Sequence, residues 1–145
     1  MKIKALDLTK KYPRSPKGKL GGYAHLCRMI DKARAKAAGS IGEYIYPCPL
    51  DQSLLEFLGL SGDAFYEAVK SRADQEILDW LKQNAKARSP EEIEEWNKAF
   101  LNRKPQNEES MRHFLEIRNR VAPHRTDVAT WADLLDLEEG RKVSP

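Results

Sequence analysis

The chain has 145 residues, 41% hydrophobic and 32% charged, with a formal net charge of +3. These proportions exclude fibrous, disordered and disulfide-scaffold classes and predict one soluble domain, with a core that buries about 68–70% of the unfolded surface. A mean hydropathy of −0.68, and the lack of any apolar run near about 18 residues, argue against a membrane span.

The opening MKIKALDLTKKYP lacks the apolar stretch of a signal peptide, so the cytoplasm is the expected compartment. Cys27 and Cys48 fit neither a disulfide framework nor a zinc spacing. Reduced thiols, no metal and no cofactor are therefore expected. Charge is uneven along the chain. Residues 1–38 hold eleven Lys and Arg against Asp7 and Asp31, a local excess of +9, while the remainder carries −6. Such polarity fits an anion-binding pole or pairing between the two parts.

Pro13, Pro16 and Gly18 punctuate the start, which reads as a basic irregular arm over residues 1–20, with a short strand near Ile3–Leu8. A helical core over 21–140 and a tail over 141–145 complete one domain. After Gly21-Gly22, a helix is expected from Tyr23 to Ala38, with Leu26, Met29, Ile30, Ala33 and Ala37 on its apolar stripe. Residues 43–46 favour an extended segment closed by Pro47 and Pro49. Short helices then follow one another: Leu54–Leu58, one opened by Ser61, and one behind Asp74 with Ile77 and Leu81 inward. Ser89-Pro90-Glu91-Glu92 is a strong helix start, combining a serine cap, a first-turn proline and a glutamate able to close a capping box. Asn107 and Thr130 are the expected caps of two further helices. About seven short helices predict an all-α domain.

Arg14, Lys19, Gly21, Gly22 and Tyr23 form a glycine-rich, cationic approach to the first helix. Free amides and cations converging there hold a phosphate or carboxylate; the alternative is a tight turn with no ligand. His124 and Arg125 lie in a polar loop, APHRTD, and are candidates to complete that anion site. Within the first helix, His25 lies among cations and is expected to be neutral, while Asp31 is a candidate partner for Arg34. Arg118 projects into an apolar arc and needs a carboxylate, with Asp31, Asp127 and Glu43 as candidates. Cys48 precedes a helix, which favours a thiolate, but Asp51 opposes one; it reads as a buried small apolar residue.

LGGYAHLCRMIDKARAK, GEYIYPCPLD, the Ser89–Glu92 helix with Trp96-Asn97, and APHRTDVATWADLLDLEEG together resemble a bacterial family catalogued only as a domain of unknown function. The likeness runs from about Leu6 to Gly140. It implies a small stand-alone cytoplasmic protein and carries over no activity, substrate or catalytic residue.

The leading expectation is therefore a helical domain that binds a small anionic ligand at the Gly21-Gly22 helix start. A second is an acid–base enzyme with His25 or His124 as base, Asp31 or Asp127 as its orienter, and Tyr44 or Tyr46 as donor. A third is an adaptor using the basic arm. Nucleic acid is disfavoured as its partner, because Tyr12 alone interleaves the lysines. No membrane partner is expected, and a homo-oligomer is compatible with the sequence.

Overall fold

The computed structural model describes residues 3–145. A two-stranded antiparallel hairpin, β1 (Lys19–Leu20) and β2 (Tyr23–Ala24), precedes seven helices among the described residues. These are α1 (Leu26–Ala37), α2 (Pro49–Leu58), α3 (Gly62–Val69), α4 (Asp74–Asn84), α5 (Pro90–Leu101), α6 (Glu108–Val121) and α7 (Trp131–Glu138). The mainly helical class expected from the sequence is the one observed. No helix among the described residues is long and apolar enough to cross a membrane.

The hairpin corrects the expected start of the first helix. Gly21 and Gly22 both take positive φ, 59° and 87°, the geometry of a two-residue hairpin turn. They reverse the chain so that Leu20 faces Tyr23, and α1 begins three residues later than Tyr23. Asn97 fastens this hairpin from α5: its side chain accepts from the Ala24 amide (3.0 Å) and donates to the Gly22 carbonyl (2.8 Å). A polar residue in an apolar stripe is here a clamp, buried and satisfied. Residues 3–7 form no strand, and residues 43–46 run through turns and irregular backbone.

Local caps act where the sequence places them. The Ser89 hydroxyl accepts from the Glu92 amide, and the Glu92 carboxylate accepts from the Ser89 amide, at 3.1 and 3.0 Å. Such a cap contributes about 1 kcal/mol. Asn107 and Ser110 form a reciprocal box at the start of α6, and the Thr130 hydroxyl accepts from the Asp133 amide at the start of α7.

Two apolar clusters result. The larger joins α1 to α4 through Leu26, Met29, Ile30, Leu54, Leu58, Phe65, Val69 and Ile77. Ala37, expected on that stripe, is exposed at the end of α1. The smaller cluster, Phe114, Val128 and Leu134, holds α6 against α7. Residues from both sides of this division, with the arm, line one cleft.

Candidate functional site

The cleft has a volume of about 790 Å³. One wall is α1 and the chain entering α2, with His25, Arg28, Lys32, Tyr44 and Cys48; the other is α6 and α7, with His113, Ile117, Trp131, Leu135 and Glu139. Tyr12 and Ile45, two of the most exposed large apolar side chains, stand at its rim. His25, Arg28 and Lys32 follow a three- and seven-residue spacing, which aligns them along one face of α1. That face is polar, and it is buried: the three residues are 0, 2 and 3% exposed.

Buried ionic groups need partners, and two carboxylates from distant elements provide them. Asp51, in the first turn of α2, accepts from His25 Nε2 (2.7 Å), Lys32 Nζ (2.7 Å) and the Cys48 amide (3.0 Å). Glu139, just beyond α7, accepts both Nη groups of Arg28 (2.8 and 2.7 Å) and the Tyr44 hydroxyl (2.8 Å). Burial pushes the Asp51 carboxyl up, but the His25 bond and the Lys32 ammonium outweigh it and hold the group well below the usual carboxylate range. Glu139 behaves alike: burial raises it, and the Arg28 pair brings it below its ordinary value. Burial, followed by the bond to Glu139, raises the Tyr44 phenol, which stays protonated and donates.

His25 differs from the rest. Burial lowers its pKa, overriding the opposing pull of Asp51, so the ring is neutral near pH 7. An ionised carboxylate only accepts, so the proton of the neutral ring sits on Nε2. Nδ1 then carries a lone pair, is buried, and has no hydrogen-bond partner among the described residues. Phe100 packs against the same ring with centroids 4.9 Å apart, limiting its rotation. The backbone is also unusual, because His25 takes φ 70° at the N-cap of α1 and, among the described residues, is the one non-glycine residue with positive φ. A strained residue held by its surroundings is common at functional sites. Asp51 orients a neutral imidazole, and the arrangement suits proton exchange.

The cations expected at an anion pole, Arg14, Lys19 and Arg125, lie outside the cleft and already hold carboxylates. Arg14 bonds Asp31 through its main-chain amide and both Nε and Nη2 (2.9, 3.0 and 3.0 Å), and reaches Asp74 at 2.9 Å. Burial lowers the Arg14 pKa, but these bonds raise it overall. Lys19 meets Glu94 at 3.2 Å, and Arg125 meets Asp127 through two bonds of 2.9 Å. Gly21, Gly22 and Tyr23 belong to the hairpin that precedes the α1 N-cap, not to the helix itself. Neither His124 nor Arg125 lines the cleft.

Several expected pairings are corrected. Asp31 binds Arg14, while Arg34 turns to Asp74 at 3.1 Å. Arg118 meets the Val128 carbonyl at 3.5 Å in place of Asp31, Asp127 or Glu43. The orienter of His25 is Asp51, neither Asp31 nor Asp127. Tyr46 donates to the Gly62 carbonyl and does not line the cleft, whereas Tyr44 does. Cys48, read as a buried apolar residue, is partly exposed on the cleft wall. Arg28, Lys32, Asp51 and Glu139 were missed as site residues. Helical spacing among His25, Arg28 and Lys32 was a usable signal; the pairing with Glu139, 111 positions away from Arg28, had none.

A family model described as a domain of unknown function (DUF5069) matches residues 10–141. No curated protein matches the chain.

Proposed function

We propose for this chain, which belongs to the DUF5069 family, an acid–base chemistry performed on a small molecule held in the cleft. His25 exchanges the proton, Asp51 fixes its ring and tautomer, and Tyr44, whose hydroxyl proton is given to Glu139, offers its phenolic oxygen as an acceptor on the same wall. The observation that carries this reading is the neutral, carboxylate-oriented His25, a residue lining the cleft whose buried Nδ1 has no partner among the described residues. The apolar opposite wall, with Ile117, Trp131 and Leu135, suits a ligand with a hydrocarbon part. Cytoplasmic residence is part of the proposal, supported by two free cysteines.

Binding of an anion at the Gly21-Gly22 turn has weaker support, since Arg14 and Lys19 are engaged by Asp31, Asp74 and Glu94. The test is a melting-temperature screen with short-chain carboxylates, their amides and their esters. At least one class is expected to raise the melting temperature of the wild type, and Ile45→Trp at the exposed rim to abolish that rise. Stabilisation by none of them, or stabilisation unaltered by Ile45→Trp, would contradict the cleft as the site.

A further inference from the structure

Cys48 stands at the N-cap of the ten-residue helix α2, partly exposed on the cleft wall. Its sulfur accepts a hydrogen bond from the Lys32 ammonium at 3.1 Å. The same ammonium is fixed by Asp51 at 2.7 Å, so it cannot swing away from the sulfur without abandoning a buried carboxylate. A hydrogen bond from a charged donor is stronger than one from a neutral donor, so the ammonium holds the sulfur in place on the cleft wall. A second observation points to a ligand at this place. The His25 side chain, fully buried and with Nδ1 unpaired, lines the same cleft and shares Asp51 with Lys32. Nucleophile, fixed cation and carboxylate-oriented imidazole thus stand around one carboxylate, facing a cleft large enough for a small molecule. By contrast, Cys27 is buried at 5% exposure, and burial raises its thiol pKa.

We propose that Cys48 is a nucleophile that takes an activated acyl compound, an ester or thioester, into this cleft. The sulfur attacks the carbonyl carbon and an S–C bond forms. The bond from that carbon to the leaving oxygen or sulfur breaks with its electron pair, and the leaving group departs with the proton given up by the thiol. Water then cleaves the S–C bond, restoring the thiol and releasing the carboxylic acid, with no net oxidation or reduction. This inference rests on the cleft being the small-molecule site, and it adds the substrate class and the bond that is made.

The probe is p-nitrophenyl acetate on the full chain, with nitrophenolate release followed by absorbance and the acetylated residue mapped by mass spectrometry. Acetylation is expected on Cys48 and not on Cys27, about tenfold or more faster than on glutathione at the same pH, and absent in Cys48→Ser. Lys32→Arg, which keeps a cation beside Asp51, is expected to retain part of the advantage, and Lys32→Met to lose it. Acetylation of Cys48 no faster than of glutathione overturns the proposal, whether or not the Lys32→Met chain folds. Equal rates in wild type and a folded Lys32→Met overturn it as well. Either failure is separable from failure of the cleft, because the wild-type chain would then keep the ligand-induced rise in melting temperature that Ile45→Trp removes.

Discussion

Two polar regions of this molecule are built from the same side-chain types and end in opposite states. At the outer pole, Arg14 joins Asp31 and Asp74, and Lys17 joins Asp133 and Asp136. These cations stitch the arm to α1, α4 and α7, and each has a carboxylate. On the cleft wall, Lys32 and Arg28 are equally well paired, but the imidazole beside them retains an idle nitrogen. A cluster of cations is thus weak evidence for an anion site until its internal partners are known. A buried polar atom without a partner, facing no competing carboxylate, is the sharper signal.

The difference in burial sets the expected sizes of effect. Asp51→Ala strands a Lys32 ammonium that is 3% exposed and leaves Nε2 of His25 unpaired. Removing one partner of a buried ion pair costs about 3–5 kcal/mol, so urea denaturation should show a loss of that order. A loss below about 1 kcal/mol would mean that the Asp51 cluster is solvated like the outer pole.

The second contrast is in pH dependence. His25 is neutral when folded and titrates near 6.5 when unfolded, so unfolding takes up a proton below that value. The stability it contributes is present above pH 6.5 and is lost as pH falls, by up to about 1.4 kcal/mol per pH unit. Asp51, Glu139 and Asp74, all held below their ordinary values, contribute in the same direction at lower pH, as they become protonated. His25→Gln should therefore flatten the stability profile between roughly pH 5 and 6.5 while leaving the steeper acid limb. An unchanged profile in that window would remove the claim that burial lowers the His25 pKa.

Smaller effects belong to the pole. Arg14→Ala should cost about 1–3 kcal/mol: Arg14 itself is 41% exposed, but its loss leaves the 5%-exposed Asp31 carboxylate served by a main-chain amide. Arg125→Ala, at the exposed pair with Asp127, should leave the denaturation midpoint unmoved. A loss at Arg14 that equals that of Asp51→Ala would erase the distinction between the two regions.

Much of the fold was legible because its signals are local. The Ser89 capping box, the Asn107 and Thr130 caps and the apolar residues of α1 and α4 need only near neighbours in sequence. The Gly21-Gly22 pair misled because two positive-φ glycines serve a hairpin turn as readily as the approach to a helix. His25 was picked out, but with the wrong orienter. Asp31 is near in sequence, whereas Asp51 arrives only when α2 packs against α1, 26 positions later. Glu139 lay at the far end of the chain, where no spacing rule reaches. Cys48 was misjudged because its two prolines indicate a break in structure without indicating which side faces a cleft.

The most direct measurement is the protonation state of His25, read from nitrogen-15 shifts of the imidazole in the intact protein. The account predicts a neutral ring at pH 7 with the proton on Nε2 toward Asp51 and a bare Nδ1, and a titration midpoint below 6.5. A cationic ring at pH 7, or a proton on Nδ1 with Nε2 bare, would contradict it.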